Sequence, residues 1–192
     1  MKKIAVIIGH SDSQSYCHAL AQAYIRGAER TGASVRILDL AAMEFSPILQ
    51  YGYRKRTELE PDLVSARETL LWADHLVWVY PTWWGTMPAI LKGFIDRVFL
   101  PGFAFTSAPD SLISKKLLKG KTARLFVTMD SPSWYYRFVL RRAGHTIMKR
   151  GILQFSGITP VRINEVNTVK MLSAEKRNRL LEKAEAMGAK QD

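Results

Sequence analysis

Lys3-Ile4-Ala5-Val6-Ile7-Ile8, followed at once by Gly9-His10-Ser11-Asp12-Ser13-Gln14-Ser15, is the stretch on which the fold turns. Five unbroken apolar residues behind a lysine read as a strand buried on both faces, because a parallel sheet is covered by helices on each side. The turn Gly9 to Gln14 is short and polar. Beyond it an amphipathic run from about Ser15 to Thr31 places Ala19, Leu20, Ala23 and Ala28 on one face, and Gly32 is suited to end a helix. Strand, tight loop and helix in that order are the first half of a right-handed crossover.

The same alternation continues outward. Ser34 to Leu38 reads as a second strand, and a long polar and aromatic loop from Ala41 to Glu60 follows. That loop is too long for a plain connection and is expected to be a lid or an interface. Pro61 opens a second helix reaching Ala73. His75 to Tyr80 is a third strand, and Pro88 opens a helix ending near Phe99-Leu100. A loop runs to Lys119. Thr122 to Thr128 is a fourth strand, Tyr135 to Lys149 a helical segment, Ile158 to Ile163 a fifth strand, and Ser173 to Met187 a last helix capped by Ser173. Five strands alternating with helices give an α/β doubly wound parallel sheet of flavodoxin-like order 2-1-3-4-5, helices on both faces. No composition shift divides residues 1–192, so one domain is expected.

Composition narrows the function. The chain has 192 residues, 47% of them apolar, which excludes a disordered or collagen-like protein. A single cysteine, Cys17, excludes an intramolecular disulfide and a multi-cysteine zinc site, and fits a reducing compartment. No apolar run is long enough to span a bilayer, and Ile4 to Ile8 is too short for a signal-peptide core. A cytoplasmic protein is expected. The 28 basic residues exceed the 17 acidic ones, giving +11. The excess is concentrated between Lys115 and Arg150, where ten cations meet one acid, Asp130. This is either a solvated face or a docking surface for an acidic partner or membrane face. Basic and aromatic residues are not interleaved as in nucleic-acid motifs, so no nucleic acid is expected. No metal-ligand spacing occurs.

In an open parallel sheet the ligand sits beyond the carboxyl ends of the strands, at the switch between strands one and three. Three loops meet there. In Gly9 to Tyr16, Ser11, Ser13 and Ser15 stand at a helix N-terminus, a natural seat for phosphate, although an ordinary serine-capped helix reads the same way. In Pro81-Thr82-Trp83-Trp84-Gly85-Thr86-Met87-Pro88, two adjacent tryptophans cannot both face the core, so at least one is expected at the mouth, flat against a planar ligand. Met129 to Tyr136 again mixes hydroxyls and aromatics. His10 lies in the first loop as a ligand contact, while His18 and His75 read as structural. Ser11 has no partner base, so a nucleophilic triad is not expected.

The run from Tyr80 to Phe99, with its Pro, two aromatics and then Pro88-Ala89-Ile90-Leu91-Lys92-Gly93, resembles the central motif of the NAD(P)H:quinone reductase family. Phe103-Ala104-Phe105, Leu118-Lys119-Gly120-Lys121 and Gly151-Ile152-Leu153 extend the likeness over nearly the whole chain. The resemblance implies a bound flavin, FMN with FAD nearly as well suited, and a homodimer with the site at the subunit boundary. It implies NADPH or NADH as donor and a quinone-like acceptor of two electrons. By position His10, Ser11, Ser15, Tyr16 and Cys17 match the flavin phosphate loop. Pro81, Thr82, Trp83, Trp84 and Gly85 match the isoalloxazine loop, and Thr128 and Tyr135 the third, with Tyr135 as the catalytic tyrosine and Asp130 expected beside the cofactor. The basic surplus after the third loop favours NADPH. Two departures stand out. Met129-Asp130 replaces a Gly-Gly pair, which puts a negative charge near the flavin pocket. The family histidine falls on or near Arg141, with His145 four residues on, so proton relay by histidine is not expected. Small relatives also serve as ancillary subunits of potassium efflux systems, and a flavin-binding module with little turnover is the alternative.

Overall fold

The computed structural model describes residues 1–106 and 114–191. Five parallel strands form the central sheet: β1 (Lys3–Ile8), β2 (Ser34–Asp39), β3 (His75–Pro81), β6 (Thr122–Thr128) and β7 (Val161–Val166). Their order, β2-β1-β3-β6-β7, is the expected 2-1-3-4-5. The numbering skips because a small antiparallel pair, β4 (Phe105–Thr106) and β5 (Lys115–Lys116), lies between the third and fourth sheet strands. The sequence predicts only a loop there. Part of the expected loop to Lys119, residues 107–113, lies outside the described residues.

Side-chain alternation along β1 builds a core on each face. Ile4, Val6 and Ile8 pack under α1 (Tyr16–Arg30) and α5 (Ala174–Lys190) with Tyr24 and Phe126. Ala5 and Ile7 point to the other side, with Trp78, Phe94 and Leu125 under α2 (Pro61–Trp72) and α3 (Ala89–Val98). Both sets are almost wholly excluded from water, which is why β1 and β3 read as continuous apolar runs. On the first face α1 and α5 touch backbone to backbone. A Cβ on Gly27 would lie 1.9 Å from the Glu185 carbonyl oxygen, and one on Gly188 would lie 2.0 Å from that of Tyr24. Only glycine permits that approach.

The long loop after β2 is strapped down. Arg97 of α3 is 1% exposed. Its guanidinium donates to both Glu60 carboxylate oxygens at 3.1 and 2.7 Å, to the Ser46 carbonyl at 2.6 Å and to the Glu58 carbonyl at 2.8 Å. Pro47 sits against Gly93, where a Cβ would come within 2.3 Å. Both flanks of the loop are therefore held to the body, and its exposed tip carries Ile48, Tyr51 and Tyr53.

Two elements differ from the expected ones. The fifth strand is Val161–Val166, three residues later than Ile158–Ile163. Ile158 is apolar because it closes the preceding helix: its N–H donates to the Leu153 carbonyl at 2.9 Å, and Gly157 adopts φ 103°. Pro160 has no N–H for a ladder. The helical segment begins at Tyr135 as expected but runs on past Lys149 and is not one helix. A wide π turn, Tyr135–Val139, is broken at Arg141 and Arg142, both with left-handed φ. Then come α4 (Ala143–Thr146) and a second wide stretch, Ile147–Gln154. Among the described residues no helix is long and apolar enough to cross a membrane.

Candidate active site

The three expected loops follow β1, β3 and β6 and are stitched together by their own side chains. The first carries a nest of short-range hydrogen bonds. His10 Nδ1 accepts from the Asp12 N–H at 2.9 Å, and Asp12 accepts from the Gln14 N–H at 2.9 Å. An imidazole nitrogen that accepts an N–H carries no proton, so the His10 proton sits on Nε2, free to donate outward. Burial holds His10 below its ordinary pKa, against the pull of Asp12 and with help from His18. Ser15 caps α1, accepting from the His18 N–H. Ser11 and Ser13 are exposed beside it.

His18 does more than a structural residue at helix spacing would. Its ring lies 3.0 Å from Ser15 Oγ through Nδ1 and 3.0 Å from Asp39 Oδ2 through Nε2. The Asp39 carboxylate accepts from the Nε2–H, and Nδ1 then accepts from the Ser15 hydroxyl. The order of atoms is that of a serine–histidine–carboxylate chain. Here it fixes the orientation of the hydroxyl at the helix N-terminus. Asp39 lies far off in sequence; the pairing exists because β1 and β2 are parallel neighbours that bring Ile8 beside Asp39.

The second loop turns tightly. Trp83 and Thr86 exchange backbone hydrogen bonds at 2.8 and 3.2 Å. The two apex residues have positive φ, 51° at Trp84 and 81° at Gly85. Glycine takes this conformation freely; tryptophan does not. The Trp84 ring is wholly exposed and that of Trp83 nearly half so. The apex amides of Trp84 and Gly85 have no partner among the described residues. Thr82 N–H donates to the Thr128 carbonyl at 2.7 Å, and Pro81 is paired with Thr128 across β3 and β6. His10 meets the Trp83 ring edge-on at 5.3 Å, joining loops one and two.

In the third region, Thr128 Oγ1 lies 3.3 Å from Cys17 Sγ. Cys17 is 2% exposed, and burial pushes its thiol up to about 11, so it is packing beneath the first loop and not a nucleophile. The Tyr16 hydroxyl donates to the Arg177 carbonyl at 2.9 Å, tying α5 to the first loop. Asp130 is turned to Lys170, accepting its N–H at 3.0 Å and facing its ammonium at 3.1 Å. Tyr135 is exposed and meets Trp134 edge-on. Its neighbour Tyr136 is buried. The Tyr136 hydroxyl donates to the Gly85 carbonyl at 3.3 Å and locks the tryptophan turn onto α4. Gly144 allows this, since a Cβ there would lie 2.7 Å from both groups. His145 is 4% exposed beside Tyr136, its Nδ1 3.2 Å from Glu165. Burial, with Arg142 adding to it, holds His145 below its ordinary value against Glu165.

The basic stretch is not one continuous surface. Lys116 and Lys121 donate to backbone carbonyls, Arg124 to Asn164, and Arg142 pairs with Glu165. Among the described residues no group of three or more His, Cys, Asp or Glu is placed to hold a metal.

Comparison with known proteins agrees with this geometry. Residues 2–190 match the flavodoxin-like fold family. Smu.1420 from Streptococcus mutans is 31% identical, with a TM-score of 0.82 covering 99% of this chain and all of that one. An uncharacterized NAD(P)H oxidoreductase of Haemophilus influenzae is 28% identical over 93% of this chain and 90% of its own length. NAD(P)H dehydrogenase [quinone] 1 of Cavia porcellus is 32% identical over 71% of this chain, which spans 56% of that protein. The chain belongs to the flavodoxin-like fold family, among the NAD(P)H:quinone reductases and their relatives.

Proposed function

We propose that the protein is a cytoplasmic flavin-dependent NAD(P)H oxidoreductase that holds FMN across the three loops and passes two electrons to a quinone-like acceptor. The observation that carries this reading is the apex of the tryptophan turn. A wholly exposed Trp84 in a conformation costly for an L-residue, flanked by two unengaged amides, is what a planar ring with polar edge atoms requires. Bound flavin would supply the hydride-accepting ring, chemistry no side chain here offers. The amides of Trp84 and Gly85 would donate to its edge and stabilise negative charge there. Ser11, Ser13, Ser15 and the Nε2–H of His10 would hold the phosphate at the N-terminus of α1. Tyr135, exposed at the mouth, is the hydroxyl that faces an acceptor carbonyl. FMN is favoured over FAD because Arg177, the α5 cation packed over Tyr16, is already engaged within the chain by the Val169 carbonyl.

The reading includes a homodimer. Phe138, Val139, Ile147 and Phe155 are exposed. Ile147 and Phe155 line a groove of about 280 Å3 together with Ile95, Phe99, Phe105 and Ile152. An apolar surface of this kind is covered in most proteins, and a second copy would close the site from above. Purified protein should show flavin absorbance, release FMN on denaturation, and oxidise NADH or NADPH with a quinone present. A colourless protein that takes up no added FMN would overturn the proposal.

A further inference from the structure

The segment after the third loop lays one face over the outer strand of the sheet. Arg142, His145, Thr146, Lys149 and Arg150 follow helical spacing, and Ile163 and Glu165, two apart on β7, look up at them. Together they line a cavity of about 590 Å3. That volume is in the range of small-molecule sites and accommodates a phosphorylated ribose.

The charges in it are unevenly spent. Glu165 is met by Arg142 Nε at 3.1 Å and by His145 at 3.2 Å. Lys149 and Arg150 have no ion-pair partner among the described residues. His145 is 96% buried, and its Nε2 has no hydrogen-bond partner among the described residues. With Nδ1–H turned to Glu165, Nε2 is an acceptor and is not what would hold an anion; the unspent positive charge of Lys149 and Arg150 along the cavity is. A basic face that is merely solvated has no such cavity. The cavity also adjoins the reaction site. Tyr136, packed on His145, holds the Gly85 carbonyl of the tryptophan turn.

We propose that this cavity is an anion site for a phosphomonoester, and that its source is the 2′-phosphate of NADPH. The anion site stands on the cavity itself; the choice of source rests on the reductase reading above. A phosphomonoester brings close to two negative charges and several acceptor oxygens. Lys149 and Arg150 supply the unspent positive charge, Arg150 with a planar fork suited to phosphate, and the Thr146 hydroxyl adds a donor. NADH has no such group, so the site discriminates between the two donors by a charge that only one of them carries.

The test uses holoprotein at constant ionic strength, wild type against the double variant Lys149→Gln/Arg150→Gln. Both positions lie on the helix surface, and glutamine keeps helix propensity. Calorimetric titrations use adenosine 2′,5′-bisphosphate, adenosine 5′-monophosphate and inorganic phosphate. Wild type is expected to bind the bisphosphate about tenfold tighter than the monophosphate, and the variant to lose that difference. The ratio of kcat/KM for NADPH over NADH is expected to fall by about the same factor. Loss of phosphate binding in the variant, with neither a nucleotide preference nor a changed ratio, keeps the anion site and overturns NADPH as its source. Equal binding of every probe to both proteins overturns the site. These titrations need no turnover, so a wild type that oxidises neither nucleotide would sink the reductase reading and leave the binding comparison standing.

Discussion

Trp84 concentrates the local physics of the site in one residue. Its backbone has φ 51° and its ring is in solvent, so it pays a conformational cost and gains no burial within the chain. Two substitutions separate these effects. Trp84→Ala removes the ring and keeps the strained φ; flavin affinity should fall about tenfold by equilibrium titration while the fold persists, because the ring lies outside both cores. Trp84→Gly removes the ring and the strain together. It should be at least as stable to urea as the alanine variant, since a left-handed φ costs an L-residue about 1 kcal/mol. Full flavin content and full turnover in Trp84→Ala would mean that the ring serves some other contact.

Between elements, contacts are set by what can approach what. The α1–α5 pair depends on Gly27 and Gly188, whose neighbours are backbone atoms that cannot swing aside. Gly188→Ala should cost about 1–3 kcal/mol or more in urea unfolding, because the helices must separate to admit a methyl group. It should also weaken flavin binding, since α5 reaches the first loop through the Tyr16 hydroxyl. The strap from Arg97 to Glu60 behaves differently, because it titrates. Burial alone would raise the Glu60 carboxyl, but Arg97 and the hydrogen bonds from the Ser46 and Glu60 backbone N–H groups together outweigh it, and the pKa lies below its ordinary value. The stabilisation is therefore present above the unfolded-state pKa and is lost as pH falls through the lower folded one. Glu60→Gln should lower Tm at neutral pH by leaving the buried Arg97 without its carboxylate. Thermal melts of the two proteins should converge as pH falls through the lowered folded-state pKa of Glu60. A gap that persists into acid would show that the carboxylate charge is not what holds the loop.

At the scale of the whole molecule, the exposed apolar surface and the open site are one problem. Phe138, at 68% exposure, and Phe155, at 42%, lie outside both cores. If a second copy covers them, sedimentation should show a dimer at micromolar concentration. Phe138→Asp combined with Phe155→Asp should give a folded monomer that binds flavin more weakly, because the site loses its upper wall. A wild-type monomer with full flavin content would remove the dimer from the account.

Much of this was legible in the residues. The apolar run Lys3 to Ile8, the alternation that follows it, and the breaks at Gly32, Pro61 and Pro88 determined the strand order, because right-handed crossovers leave few ways to wind five parallel strands. The three loops at the switch point followed from that order alone, and a buried strand ending in two tryptophans had to present one of them. What the sequence could not determine were pairings between groups far apart in the chain. Asp39 reaches His18 only because two strands are neighbours, and Arg97 meets Glu60 only because a loop folds back over α3. Tyr135 and Tyr136 are adjacent and chemically identical; packing against Gly85 and Gly144 buried one and left the other exposed. Ile158 is as apolar as any strand residue, and only its hydrogen bond to Leu153 makes it a helix cap. Local patterning measures how a segment prefers to fold and which face it buries. Which partner it meets there is decided by the tertiary packing, where a single close approach selects one of two equal residues.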